Sequence, residues 1–290
     1  MMMSGIMLLA LLQAGSLPVQ QEVRDAGRQM AKSTTARKST YTVIVDAGHG
    51  GVDPGAPMQI GRLREKDITL QLSLKVGAAL RRRGIGVVYT RTRDTLIARP
   101  DRGRIANQAD GDAFLSIHVN AANPRWKQPQ AARGFETYFL GVAKTEDSRR
   151  VEEMEEESSR FETASAGSSN DPLDFILTDM LQNEHLRESS DLAEIIQRHL
   201  RKIHPGPDRG VKQAGFTVLV SAFMPAVLVE VGFGTNREEA RFPASAQRQE
   251  QMADAIADAT REYLQRHESR VGSGTGGAGV ARSPRRRGGS

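Results

Sequence analysis

The 290-residue chain has no cysteine and a single tryptophan, and aromatic residues make up only 5% of it. The missing cysteine excludes disulfides and thiolate metal sites, so any metal must be held by His, Asp or Glu. Beyond the N-terminus no apolar run reaches the ~18 residues that a membrane span requires. The HExxH zinc-peptidase signature is absent, and so is the Gly-Lys-Ser/Thr that closes a phosphate-binding P-loop. Excess charge is also missing from most of the chain. The net charge of 40 − 35 = +5 comes from Arg270, Arg282, Arg285, Arg286 and Arg287, in a stretch without acids, and the rest is balanced. The high pI therefore describes a tail and not a basic groove, and no nucleic-acid partner is expected.

What the chain does contain is ordered in blocks. Ile6 to Leu12 form a short apolar core, and Ala14-Gly15-Ser16 offers a peptidase cut. Residues 1–16 therefore read as a signal peptide, although no Lys or Arg precedes the core; a disordered apolar terminus is the alternative. A signal there implies export to the periplasm or cell envelope. Residues 17–40 are polar, basic and aperiodic, as in a linker.

From residue 41 strands alternate with helices. YTVIVDA, IGVVYTR, DAFLSIHVNA, GFETYFLG, GFTVLV and PAVLVEVGF read as strands, and Ile68, Leu72, Val76, Ala79 and Leu80 recur at helical spacing. Residues 41–267 are thus predicted to form a single α/β domain with a largely parallel, roughly six-stranded sheet flanked by helices. A helical insert interrupts it from about 141 to 190. Its RRVEEMEEESSRFE segment places Val151, Met154 and Phe161 on one face among six glutamates. Asp171-Pro172 then suits the start of another helix, predicted to break near Gln182 to Ser190. A last helix is expected from about Ser245 to Arg266, followed by a disordered Gly/Ser/Arg tail at 268–290.

Active groups in such folds gather at the carboxyl ends of the strands, where His49, His118 and Glu230 all stand. His49 lies in VIVDAGHGGVDPGA, whose glycines suit either a phosphate cradle or a metal site. The phosphate reading fails, because the third glycine of G-x-G-x-x-G falls on Asp53 and Pro54-Gly55 prolong the loop. His118 follows the apolar FLSI, where a histidine is either a satisfied core residue or a ligand. Glu230 interrupts the apolar AVLVEVGF, and a buried unpaired carboxylate costs several kcal/mol. It therefore needs a cation, a donor network or a raised pKa. Two histidines and a carboxylate suit zinc with a fourth position open. Pattern alone stops at an α/β domain with the makings of a metallohydrolase.

Five segments carry more information. VIVDAGHGGVDPGA, LREKDITLQLSLKVGAALRRRGIGVVYTRTRD, ARPDRGRIANQADGDAFLSIHVNAA, RGFETYFL and GVKQAGFTVLVSAFMPAVLVEVGFGTN occur in order across residues 41 to 266. Together they resemble the catalytic domain of the zinc-dependent N-acetylmuramoyl-L-alanine amidases. The resemblance implies that His49, Glu65 and His118 hold Zn2+ and that Glu230 is the catalytic carboxylate, relaying a proton from water to the departing amine. It implies peptidoglycan as substrate, cut between N-acetylmuramic acid and L-alanine. Pattern alone reads Glu65 as a solvated residue ahead of a helix.

Family members that act in cell separation resemble this chain in carrying a helical insert after the ETYFL strand. There the helix covers the zinc cleft until a partner removes it. The same placement here implies autoinhibition, with a glutamate between Glu152 and Glu157, or Glu162, entering the open zinc position, and an activator protein displacing the insert. The alternative is a solvated acidic helix held by Val151, Met154 and Phe161. Asp46, Asp53 and Asn120 either orient ligands or serve local turns. Arg209 and Arg93 either meet the anionic wall polymer or stay solvated. Two rival functions stand beside the amidase: a peptidoglycan-binding protein without turnover, and a zinc peptidase acting on wall peptides.

Overall fold

A computed structural model describes residues 41–162 and 172–274. The expected signal peptide and linker, residue Asp171 and the tail from 275 lie outside the described residues. One sheet holds β1 (Thr42–Ala47), β2 (Gly86–Tyr89), β3 (Ala113–Asn120), β4 (Phe135–Leu140), β5 (Asp208–Ala214) and β6 (Ala226–Phe233). Its order is β2-β1-β3-β6-β4-β5. Every neighbouring pair is parallel except β4 with β6. The predicted α/β class and strand number both hold.

Seven helices accompany the sheet among the described residues: α1 (Glu65–Arg82), α2 (Arg99–Gln108), α3 (Glu146–Glu156), α4 (Pro172–Leu200), α5 (Thr217–Val220), α6 (Arg237–Ala244) and α7 (Ala246–Gly274). In α1 the apolar residues at helical spacing are all fully buried, and Gly84, at φ 77°, ends the helix in the left-handed region. On one sheet face Val43, Val45, Leu115, Ile117, Val227 and Val229 join α1, α4 and α7 in the main core. The other face carries a smaller core, in which Ile44, Phe114 and Leu228 meet Ala106 of α2 and Leu219 of α5. No helix among the described residues is long and apolar enough to cross a membrane.

Three expectations need correction. GFTVLV is not a strand: Thr217 to Val220 make the helical turn α5, with Val218 and Leu219 buried and Val220 exposed. The fifth strand is the polar segment before it, DRGVKQA. Its β-branched residues made GFTVLV look extended, whereas β5 is an edge strand paired on one side only, where half-buried polar residues belong. The helix α4 runs unbroken through Gln182 to Ser190, because no Gly or Pro follows Pro172 within it. For the same reason α7 continues past Arg266, since its first glycine is Gly272.

Candidate metal centre

The loop leaving β1 turns at His49, which itself adopts a left-handed backbone (φ 59°). Two of the loop's glycines are required by space. A Cβ on Gly48 would lie 2.5 Å from the His118 ring, and one on Gly55 would lie 2.6 Å from Oε2 of Glu65. The thinned loop thus lets side chains from three elements meet: His49 from the loop, Glu65 from the first turn of α1, and His118 from β3.

Two of the three are held from behind. Glu65 is fully buried; its Oε2 accepts from the Ala56 amide (2.6 Å) and its Oε1 from the Val119 amide (2.7 Å). Those bonds aim one oxygen at each imidazole, 3.2 Å from Nε2 of His49 and 3.3 Å from Nδ1 of His118. The other nitrogen of His49, Nδ1, is bonded to Oδ2 of Asp53 at 2.8 Å. A carboxylate behind a histidine fixes its ring and tautomer for a metal in front.

A fourth group arrives from the insert. Oε2 of Glu155, on α3, lies 3.2 Å from Nε2 of His49 and 3.0 Å from Nδ1 of His118. One ligand atom from each of the four residues lies within 4.8 Å of the others. Yet Nε2 of His49 and Nδ1 of His118 are buried without a hydrogen bond among the described residues. They approach the carboxylates at distances that are not directed at one another. Ligands around a tetrahedral ion with bonds of ~2.0 Å stand ~3.3 Å apart, close to the four His–carboxylate separations here.

The electrostatics agree with that fit. Burial disfavours a charged imidazole, but the Glu65 and Glu155 carboxylates hold His49 well above its usual value. Against the same burial, Glu155 and Glu65 push His118 up to about 10. Burial likewise opposes charge on Glu65 and Glu155, and the imidazoles overcome it, holding both below the usual carboxylate range. Two buried carboxylates demand two positive charges. A divalent cation would supply them in place of two imidazolium protons.

Glu230 lies in β6, in register with His118 of β3 on one side and Glu136 of β4 on the other. Residues paired in this way project from the same sheet face. Glu230 is fully buried, and neither carboxylate oxygen has a hydrogen bond among the described residues. Burial, and then the charge of Glu155, hold its pKa well above the ordinary carboxylate value. The four residues singled out by sequence thus share one site: three converge on a point, and Glu230 flanks it.

The neighbours divide between ligand support and local structure. Asp53 orients His49. Asp46 touches neither histidine; it accepts from Thr90, Ser116 and Arg102, and Arg102 also donates to the carbonyls of Ala47 and His49. The pair therefore supports the backbone of the histidine loop. Asn120 donates to Glu136. Arg93 is exposed, whereas Arg209 is paired with Glu136 and Asp147. Sequence reasoning had left open which insert glutamate reaches the centre. The available signal was spacing, because Glu155 follows the fully buried Val151 by four residues and so shares its helical face. With α3 in place, the space left among His49, Asp53, His118, Glu155 and Phe216 is about 20 Å³.

Residues 43–262 match the family model described as N-acetylmuramoyl-L-alanine amidase. The chain is 33% identical over 226 residues to the N-acetylmuramoyl-L-alanine amidase AmiA of Escherichia coli K12, covering 77% of this chain and 75% of AmiA. Among solved structures, the N-acetylmuramoyl-L-alanine amidase of Clostridium difficile 630 aligns at 29% identity with a TM-score of 0.59, over 79% of this chain and 98% of the other. The amidase AmiC2 of Nostoc punctiforme aligns at 30% identity and a TM-score of 0.56, over 78% and 97%. The same fold, at 24% identity, a TM-score of 0.56 and coverage of 78% and 99%, occurs in the CwlD amidase of Clostridioides difficile, solved in complex with the lipoprotein GerS. This chain belongs to the N-acetylmuramoyl-L-alanine amidase family and hydrolyses the amide joining N-acetylmuramic acid to L-alanine in peptidoglycan.

Proposed function

We propose that this amidase depends on zinc held by His49, Glu65 and His118, uses Glu230 as its catalytic carboxylate, and is kept inactive by Glu155. The observation that carries the reading is the pair of buried, unbonded imidazole nitrogens that face the Glu65 carboxylate. Zinc at such a site supplies a Lewis acid that polarises a carbonyl and makes water acidic near neutral pH.

The chain's own residues do the rest. Asp53 holds the His49 ring, and the Ala56 and Val119 amides hold Glu65. Glu230, buried beside His118 with no hydrogen bond to its carboxylate among the described residues, is placed to accept a proton from water. It returns that proton to the amine of L-alanine as the amide breaks. Glu230→Gln keeps the shape and removes the base; turnover should fall by about 10²- to 10⁴-fold with metal content unchanged.

Autoinhibition follows from where α3 lies. Glu155 takes the place that water and the scissile carbonyl need, and about 20 Å³ of space does not admit a substrate. The helix is held mainly by polar contacts: Asp147 with Arg209 and Lys212, Arg150 with Asn120, and Glu156 with Thr217. Arg99 pairs with Glu156 and Glu162. A partner that offers α3 equivalent charges can draw it away without disturbing the sheet. The CwlD amidase, which shares this fold, is itself solved in complex with a second protein, the lipoprotein GerS. The enzyme acts after export, in the envelope that contains its substrate.

A muropeptide digest with and without chelator tests the chemistry. Zinc dependence predicts release of whole stem peptides from intact glycan, loss of that release on chelation, and its return with zinc. Cuts between residues of the stem would favour the zinc peptidase, and activity indifferent to chelation would remove zinc from the account.

A further inference from the structure

Beside the metal centre lies a second buried charge cluster that the chemistry above does not use. Glu136, fully buried in β4, accepts from Asn120 and Tyr138 at Oε1. Its Oε2 accepts from Nε of Arg209 (2.8 Å) and Nζ of Lys212 (2.5 Å), both on β5. Oδ2 of Asp147 accepts from the same two cations, at 2.7 Å from Arg209 and 2.8 Å from Lys212. Two acids thus balance two bases. The balance has a seam: Glu136, Arg209 and Lys212 belong to the sheet, whereas Asp147 belongs to α3. With α3 in place the Arg209 and Lys212 side chains are only 23% and 16% exposed; when α3 leaves, one buried carboxylate faces the two cations, and the position of Asp147 is open to another anion.

That position lies beside the catalytic carboxylate. Glu136 is in register with Glu230, so the cations stand on the side of the catalytic carboxylate away from His118. From Asp147 to Glu155 is eight positions of α3, or about 12 Å along a helix axis. An extended peptide covers about 12 Å in three to four residues. We propose that Arg209 and Lys212 form a subsite for a free carboxylate of the peptidoglycan stem peptide, which Asp147 fills while the enzyme is closed. The inhibitory helix then copies its substrate at both ends, with Glu155 in place of the reacting group and Asp147 in place of the peptide carboxylate. The proposal rests on the reading that α3 leaves the cleft before turnover.

Muropeptides with stem carboxylates blocked one at a time as carboxamides, at the second residue, the third residue or the C-terminus, decide the matter. They are compared with the unblocked parent in the full-length chain and in its Glu155→Ala variant. A charge-assisted pair of this kind predicts that one block lowers kcat/KM by about tenfold to a hundredfold, through KM. The position of that block identifies the carboxylate. In the Glu155→Ala background, Lys212→Met should shrink the ratio of kcat/KM between the parent and the blocked substrate to within about twofold, whatever the change in overall rate. Lys212→Gln, which keeps a donor for Glu136, gives the same comparison should the methionine variant fail to fold. Equal rates on all substrates, or an equal slowing of all of them in Lys212→Gln, would overturn the subsite. A Glu155→Ala variant no faster than the unaltered chain would instead defeat autoinhibition, and the substrate comparison in the unaltered chain would still stand.

Discussion

Two helices lie against the same domain by different physics. Along α7, Met252, Ala253, Ile256, Ala257, Tyr263 and Leu264 are buried in the main core. Along α3, Val151 is the one apolar side chain that is fully buried, while Met154 and Phe161 beyond it are half-buried. Apolar burial is non-directional and has no substitute in water, so α7 is a permanent wall. Ion pairs can be exchanged for other ion pairs, or for a metal ligand and a substrate charge. A cover that must come off is therefore held by charges, and a wall that must stay is held by methyl groups.

Breaking the permanent side should give the largest effect. Ile256→Ala removes a fully buried side chain and should cost about 2–5 kcal/mol in urea unfolding, with the activity of the folded fraction unchanged. On the removable side the order reverses. Glu155→Ala should leave the unfolding midpoint nearly in place and raise basal peptidoglycan hydrolysis by about tenfold or more, read by dye release from labelled wall. Arg99→Gln breaks the pairs to Glu156 and Glu162 without touching the metal site. Its gain in basal activity should be smaller, about threefold, since partly exposed pairs contribute about 1 kcal/mol or less each.

The smallest effect sharpens the comparison from the pH side. Burial pushes the Glu239 carboxyl up to about 7, although it accepts from the Gly134 and Phe233 amides. The folded chain therefore binds this proton more tightly than the unfolded chain. Its contribution is fully present below the unfolded value near 4.5 and is lost as pH rises to about 7. The stability difference between the unaltered chain and Glu239→Gln should shrink across that window and stay flat above it. Basal activity of Glu155→Ala relative to the unaltered chain should not follow that curve.

The fold was legible where the signal was local. Apolar runs such as VIVDA and the spacing of Ile68, Leu72 and Val76 state their own periodicity. β5 was missed because an edge strand needs no apolar run, and the more apolar TVLV beside it made the stronger claim. The site was legible in part. Glu230 announced itself as a carboxylate within an apolar strand. Glu65 did not, because its burial comes from the amides of Ala56 and Val119, which reach it only after folding. Its assignment came from resemblance. Glu155 was one acid among six until the fold showed Val151 facing the core. The Glu136, Arg209, Lys212 and Asp147 cluster is assembled from three elements, and no local pattern foretells it.

The most direct test of the metal centre pairs elemental analysis with dye release on one preparation of Glu155→Ala that has never met a chelator, alongside the same variant carrying His49→Ala. The account predicts one zinc per chain and rapid release in the first, and neither zinc nor release in the second. Full release from a preparation empty of metal would contradict it.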